Sequence, residues 1–279
     1  MTSEISSKTL GILAGNGTFP ETLIASARKS CPGIRIIVCG FPNETKPELE
    51  DLADEFEWFR LGQLSKPLAF LKKHGVTELM MAGGIAPKNL FDLRPDMRAL
   101  YIFATLKERN AETIFGAIAD FLANEGIRLL SSTTYMEDSI PRPGHICGPK
   151  LKKRRFADIE LGVKVARQMC LLYVGQCVCV RHGTVLSVEA FESTNDCLAR
   201  GGKIGKGEDV TAIKLCKFDQ DMRFDAPCVG AQTIESCHQT GVSAFVVYSE
   251  KTIVLEKEKV KELCEKYNVT LYAVEPVQG

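Results

Sequence analysis

Residues 9–20 constrain the fold of this chain more than any other stretch. Thr9-Leu-Gly-Ile-Leu-Ala14 is a short apolar run that reads as a buried strand. Gly15-Asn16-Gly17 follows it, and Pro20 suits the first turn of a helix over Glu21 to Lys29. Strand, glycine loop and helix in that order bring loop amides and a helix N-terminus together, which favours an anion. The glycines Gly11, Gly15 and Gly17 do not have the GxGxxG spacing, and no Lys-Ser/Thr pair follows, so neither a dinucleotide fingerprint nor a Walker loop is present. A tight turn without a ligand fits the same residues.

The alternation continues. Ile34 to Cys39 and Glu57 to Arg60 read as strands, Leu64 to His74 as a helix closed by Gly75, and Glu78 to Ala82 as a buried strand. Gly83-Gly84 comes directly after that strand, mirroring the first glycine loop. Ligands of open parallel sheets bind beyond the carboxyl ends of the strands, so two such loops suggest one crevice; a plain turn is the other reading. Helices over Ala99 to Leu106 and Ala111 to Asn124, with Asn110 as N-cap and Gly126 as C-cap, and a strand over Ile127 to Ser131 complete the unit. These elements predict a Rossmann-like parallel α/β domain over residues 1–132.

Composition shifts after Ser132. Pro141, Pro143, Gly144, Gly148 and Pro149 are turn chemistry, and Lys150 to Arg155 holds five basic residues. Residues 133–155 therefore read as a linker, its basic run solvated or meeting phosphates or anionic headgroups. Residues 156–279 read as a mixed α+β catalytic domain. A helix over Phe156 to Leu172 leads into a hairpin about His182-Gly183, and strand Val210 to Lys217 contains Lys214. The expected fold class is thus α/β with a second α+β domain and a ligand cleft between the two.

Composition bounds the function. A chain of 279 residues suffices for two ordinary domains, and 35 basic against 35 acidic residues give no net charge. That balance argues against bulk nucleic-acid binding, which needs a strong positive field, and leaves a small local basic patch open. The first residues, Met1 to Lys8, lack the basic and apolar regions of a secretory signal, and no apolar run approaches the roughly 20 residues that span a bilayer. The expected location is cytoplasmic, with peripheral contact at a membrane surface left open. Eleven cysteines and four histidines show no CxxC or HExxH spacing, so the cysteines read as reduced core thiols.

Chemistry concentrates at Gln220-Asp221-Met222-Arg223-Phe224-Asp225-Ala226-Pro227. With Asp219 the segment holds three carboxylates and one guanidinium. As an extended strand it would put residues 219, 221, 223 and 225 on one face and anchor Met222 and Phe224 on the other. Carboxylate oxygens suit Mg²⁺ and an arginine fork suits a phosphate. A polar strand end with surface ion pairs suits the same residues. Glu189 and Glu192 are the nearest acids in character; they would be further metal or water-orienting ligands, or a solvated strand end.

Several blocks together resemble one family. They are Gly11-x-Leu-Ala-Gly-Asn-Gly-x-x-Pro20, Ala82-Gly83-Gly84, Asp120, Val188-Glu189-Ala190-x-Glu192-x-Thr194, and Gln220 to Asp225 with Pro227. The set is similar to the I-type UDP-2,3-diacylglucosamine pyrophosphatases of lipid A biosynthesis in some Gram-negative bacteria. The likeness runs over essentially the whole chain, and Gln-Asp-Met-Arg-Phe-Asp is its specific part. It implies two domains and Mg²⁺-dependent hydrolysis of UDP-2,3-diacylglucosamine to 2,3-diacylglucosamine 1-phosphate and UMP. It also implies that Asp225 is the essential acid. Where the family usually reads Glu-Gly-Thr-Asp, this chain has Glu192-Ser193-Thr194-Asn195 followed by Asp196. Either Asn195 keeps a neutral contact or Asp196 substitutes.

On that resemblance Asp225, Asp221 and Arg223 are the catalytic set, and Asp225, Asp221, Glu189 and Glu192 hold the Mg²⁺ or orient water. Gly15, Asn16, Gly17, Gly83, Gly84, Thr194, Lys214 and Gln220 contact substrate, the glycine loops by backbone and Lys214 with Arg223 at the phosphates. The partner is a lipid-linked UDP-sugar, with peripheral attachment at the inner membrane and a homodimer both compatible. The rival readings are a non-catalytic nucleotide-sugar or lipid binder and an NAD-dependent oxidoreductase, the latter disfavoured by the glycine spacing.

Overall fold

The computed structural model describes residues 8–85, 95–106, 111–217 and 220–276. The expected N-cap Asn110 and the acid Asp219 lie outside them. The chain divides into two compact units: Met1–Met136 with Asp221–Asp225, and Glu137–Gln220 with Ala226–Gly279.

The first unit is a five-stranded parallel sheet with helices. In chain order it has β1 (Thr9–Ala14), α1 (Phe19–Ser30), β2 (Arg35–Gly40), β3 (Glu55–Trp58), α2 (Ser65–Lys73), β4 (Glu78–Ala82), α3 (Met97–Thr105), α4 (Ala111–Asn124) and β5 (Arg128–Leu129). The strand order is β3-β2-β1-β4-β5, and every pairing is parallel. The central strands carry unbroken apolar runs because both faces are covered; Leu10, Ile12, Ile36, Ile37 and Val38 are fully buried. Helix α1 buries Phe19, Leu23, Ile24 and Ala27, the i, i+4, i+5, i+8 stripe of a helix lying on a core.

One aspartate secures two helix starts in this unit. The Asp96 carboxylate accepts from the Ala99 amide at 3.0 Å, capping α3, and from the Leu64 and Ser65 amides at 2.9 and 2.7 Å, where α2 begins. Burial alone would raise the Asp96 pKa, but the amides of Ala99, Ser65 and Leu64 outweigh it, and the group sits below the usual aspartate value of 3.8. The folded-state pKa is depressed. Its stabilisation is therefore complete above the ordinary value and is lost as pH falls through the folded one. Asp96→Ala is expected to destabilise the first unit by about 2 kcal/mol at neutral pH, with a smaller difference from wild type near pH 3, read by denaturant unfolding at both pH values.

The second unit is a six-stranded mixed sheet with helices and a small parallel pair. It contains β6 (Gly144–Cys147), α5 (Arg155–Leu171), β7 (Cys177–Arg181), β8 (Thr184–Val188), α6 (Thr194–Ile204) and β9 (Val210–Lys214). There follow β10 (Cys228–Val229), α7 (Ala231–Thr240), β11 (Val242–Tyr248), β12 (Ile253–Val254), α8 (Lys257–Tyr267) and β13 (Thr270–Val274). The large sheet runs β6-β13-β11-β9-β7-β8; β9, β11 and β13 are parallel, while β6, β7 and β8 pair antiparallel. The β7–β8 turn is the expected one at His182-Gly183. Both residues have positive φ, 48° and 72°, and the Asp158 carboxylate receives both amides at 3.1 and 2.6 Å.

Three expectations change here. Residues 133–155 are not a free linker, because Gly144–Cys147 is an edge strand against β13; Pro141 and Pro143 mark the approach to that edge, where proline is tolerated. The second domain does not run unbroken over 156–279, because Asp221–Asp225 packs with the first unit. The basic run is not wholly solvated either. Arg155 is 4% exposed. Its guanidinium donates to Thr211 Oγ1 at 2.9 Å, the Val210 carbonyl at 3.0 Å, Ser243 Oγ at 3.1 Å and Asp209 Oδ1 at 3.2 Å. Arg154 also pairs with Asp209. The cysteines are free thiols, and nine of the eleven are buried.

Candidate active site

The first unit brings its glycine loops together where the strand order reverses. Strand β1 has β2 on one side and β4 on the other, so the carboxyl ends of β1 and β4 flank the topological switch point of the sheet. The Gly15 amide donates to the Ala82 carbonyl at 2.7 Å, and Asn16 and Gly84 exchange backbone bonds of 2.8 and 3.2 Å. This short bridge explains two glycines. A Cβ at Gly15 would lie 2.2 Å from the Gly84 oxygen, and one at Gly83, whose φ is +89°, would lie 2.3 Å from the Asn16 oxygen. Sequence reasoning left ligand approach and a plain turn open for these glycines; in the structure they allow the close approach of one loop to the other. Gly17, with φ +88°, is exposed and faces open space at the start of α1. The Asn16 side-chain Nδ2 donates to Glu44 Oε2 at 2.6 Å, tying in the segment after β2.

Residues Asp221–Asp225 meet the same edge of this sheet. They form a turn rather than an extended strand: the Asp225 amide donates to the Asp221 carbonyl at 3.1 Å, so the alternate-face arrangement does not arise. Ser132, just past β5, fastens the turn. Its amide donates to the Met222 carbonyl at 2.7 Å, and its Oγ lies 3.3 Å from the carbonyls of Arg223 and of Met81 in β4. Phe224 stacks on Phe115 of α4, ring centroids 5.4 Å apart, and packs against the core formed by Ile37, Leu79, Leu122 and their neighbours. Phe224→Ala should cost about 2 kcal/mol, felt in the hydrogen exchange of β4 and α4 rather than in β9 or β11.

Within the turn, Asp221 and Arg223 hold each other. Arg223 Nε lies 2.9 and 3.1 Å from the two Asp221 oxygens and Nη2 lies 2.6 Å from one, while the Arg223 amide donates to Asp221 Oδ1 at 3.0 Å. The guanidinium bonds hold the Asp221 carboxyl below the usual range, and Asp221 in turn raises Arg223, with Asp120 adding to the field. Asp225 is exposed beside this fixed pair.

The second unit gathers a different set. Thr194, at the start of α6, donates its hydroxyl to Glu189 Oε1 at 2.6 Å and receives Lys214 Nζ at 3.0 Å; Glu189 Oε2 also accepts from the Gln176 amide at 3.2 Å. Glu192 is bonded elsewhere, to Arg200 at 2.7 Å and the Ala190 amide at 3.1 Å. Its own amide and Arg200 keep its pKa below the usual range. Asp196 is the third residue of the α6 capping box: its carboxylate accepts from the Ser193 hydroxyl at 2.7 Å and the Ser193 amide at 3.3 Å. The Asn195-or-Asp196 alternative thus tips away from Asp196, which is used up as a cap. The Gln220 side chain accepts from the Lys217 amide at 3.1 Å.

Of the four carboxylates expected as ligands, Asp221 and Asp225 belong to the first unit and Glu189 and Glu192 to the second. Among the described residues no group of three or more His, Cys, Asp or Glu converges for a metal. Asp221 and Glu192 are neutralised by arginines. Sequence reasoning missed Ser132, Phe115 and Glu44; each looks ordinary along the chain, and only the strand order makes them neighbours of the motif residues.

Two family models match successive parts of this chain: the LpxI N-terminal domain over residues 9–139 and the LpxI C-terminal domain over residues 142–272. The chain belongs to the LpxI family. The UDP-2,3-diacylglucosamine pyrophosphatase LpxI of Caulobacter vibrioides is 25% identical over 280 residues, covering 96% of this chain and 98% of that protein. The LpxI C-terminal domain as matched includes Asp221–Asp225, so the family boundary follows the chain while the packing boundary sends these five residues to the first unit.

Proposed function

We propose that this LpxI-family protein hydrolyses UDP-2,3-diacylglucosamine to 2,3-diacylglucosamine 1-phosphate and UMP, a step of lipid A biosynthesis, with Asp225 as its essential carboxylate. The observation that carries this reading is the Asp221–Asp225 turn, fastened by Ser132 at the edge of the sheet that also bears the two glycine loops. The Caulobacter relative, named for this activity over nearly its whole length, supports it.

In this reading the nucleotide diphosphate lies against the exposed Gly17 and the α1 N-terminus, whose dipole favours an anion. Mg²⁺ accepts one or two carboxylates together with substrate phosphate oxygens, and the exposed Asp225 fits that mode, whereas Asp221 and Glu192, each closed on an arginine, do not. When bound, the ion would supply charge neutralisation on the phosphates. Asp225 orients the attacking water and receives its proton. The water oxygen bonds to one phosphorus, the bond from that phosphorus to the bridging oxygen breaks, and each product leaves with one phosphate. Asp221 keeps Arg223 in place to face the negative charge. In the second unit, the Lys214–Thr194–Glu189 group suits a phosphate or a sugar hydroxyl.

A lipid substrate fits a further feature of the second unit. Leu171, Leu172, Tyr173 and Val174 are exposed in one run at the end of α5, Phe191 is fully exposed, and Lys217 Nζ sits 3.7 Å over the Tyr173 ring. Aromatic and aliphatic side chains beside a cation suit an acyl chain or an interfacial contact. No helix among the described residues is long and apolar enough to cross a membrane. We place the protein in the cytoplasm, drawing its substrate from the inner membrane face. Mass spectrometry of the reaction products tests the chemistry: UMP and the lipid sugar 1-phosphate appear in equal amounts. UDP with a dephosphorylated sugar would refute pyrophosphate hydrolysis.

A further inference from the structure

Glu44 is a buried acid that the proposed chemistry does not use. It is 5% exposed and lies four residues beyond the end of β2, at the carboxyl edge of the sheet beside the switch point. A carboxylate is costly to bury, and this one is held by a built structure. The Glu44 amide donates to the Phe41 carbonyl at 3.1 Å, and its neighbour Thr45, also buried, accepts from the Phe41 amide at 2.7 Å and donates to the carbonyl of Ala14, the last residue of β1. Glu44 Oε2 accepts from the Asn16 side-chain Nδ2 at 2.6 Å, while Asn16 is bridged through its backbone to Gly84. The acid is thereby fixed next to the glycine loop that precedes the exposed, positive-φ Gly17 and the N-terminus of α1.

We propose that Glu44, with Asn16 as its fixed partner, is the specificity residue for the ribose of the nucleotide substrate. In a sheet of this order, a phosphate at the first loop and the start of α1 puts the attached ribose over the end of the second strand. A carboxylate there is an acceptor for the ribose hydroxyls, and a bond to a charged acceptor discriminates strongly against a sugar that lacks the hydroxyl. The first loop has no GxGxxG spacing, and the acid comes 28 residues after Asn16 rather than at the usual distance, so sequence pattern alone does not reveal it. The inference rests on the proposed reading that the first unit takes the nucleotide half of the substrate.

Calorimetric titration of the whole protein with UMP and with 2′-deoxy-UMP tests it without any substitution. The expected result is binding of UMP about tenfold or more tighter than its 2′-deoxy analogue, in the wild-type protein. Glu44→Gln, which keeps an acceptor for the Asn16 amide, should bring the ratio close to one while affinity for inorganic phosphate stays unchanged. Equal affinity for the two nucleotides in the wild-type protein would overturn the ribose assignment and leave the nucleotide reading standing. No binding of either nucleotide would overturn both. Retention of the full ratio in Glu44→Gln would also overturn the assignment to this residue.

Discussion

An Asp225→Ala protein is expected to fold as the wild type does and to lose at least about 10²–10³-fold in turnover of UDP-2,3-diacylglucosamine. Folding survives because other contacts hold the turn. Ser132, the Phe224–Phe115 stack and the Asp221–Arg223 pair hold it. Activity does not survive, because Asp225 is the exposed carboxylate that the turn presents. Asp221→Asn should behave differently. It loosens Arg223 without removing Asp225, so a partial loss with raised KM is expected. Circular dichroism and steady-state kinetics on the two variants separate these outcomes, and normal turnover by Asp225→Ala would remove Asp225 from the mechanism.

The largest expected effect on stability is at Arg155. Arg155→Ala would leave Asp209, the Val210 carbonyl and Thr211 without their buried partner, at a cost of about 3–5 kcal/mol to the second unit. Burial pulls the guanidinium pKa down while Asp209 and Asp158 pull it back, so the charge is kept by these partners. Arg155→Lys should recover only a fraction, since an ammonium cannot reach four acceptors set out for a planar fork. Denaturant unfolding followed in each unit checks this: the transition of the second unit moves, and that of the first does not.

The parallel sheet was legible in the sequence because its central strands are unbroken apolar runs separated by helical patterns, and glycines mark the ends of β1 and β4. The β7–β8 hairpin was legible from His182-Gly183 for the same local reason. What escaped was non-local. Nothing in Gln220 to Asp225 says that its backbone bonds to Ser132, some 90 positions earlier, so a strand with alternating faces was the natural expectation. Arg155 sits in a basic run whose composition reads as solvent-facing, and only the fold supplies Asp209 and Thr211 to bury it. Charge composition was also blind to the partners of the expected ligands. It counted Asp221 and Glu192 as ligands, but it could not show that Arg223 and Arg200 would close on them.

The most direct measurement is UMP release from UDP-2,3-diacylglucosamine by the purified protein, with Mg²⁺ and with excess chelator. The expected result is steady UMP production with Mg²⁺ and little with the chelator. Binding of the lipid nucleotide with no UMP under either condition would contradict it and make the chain a binding protein.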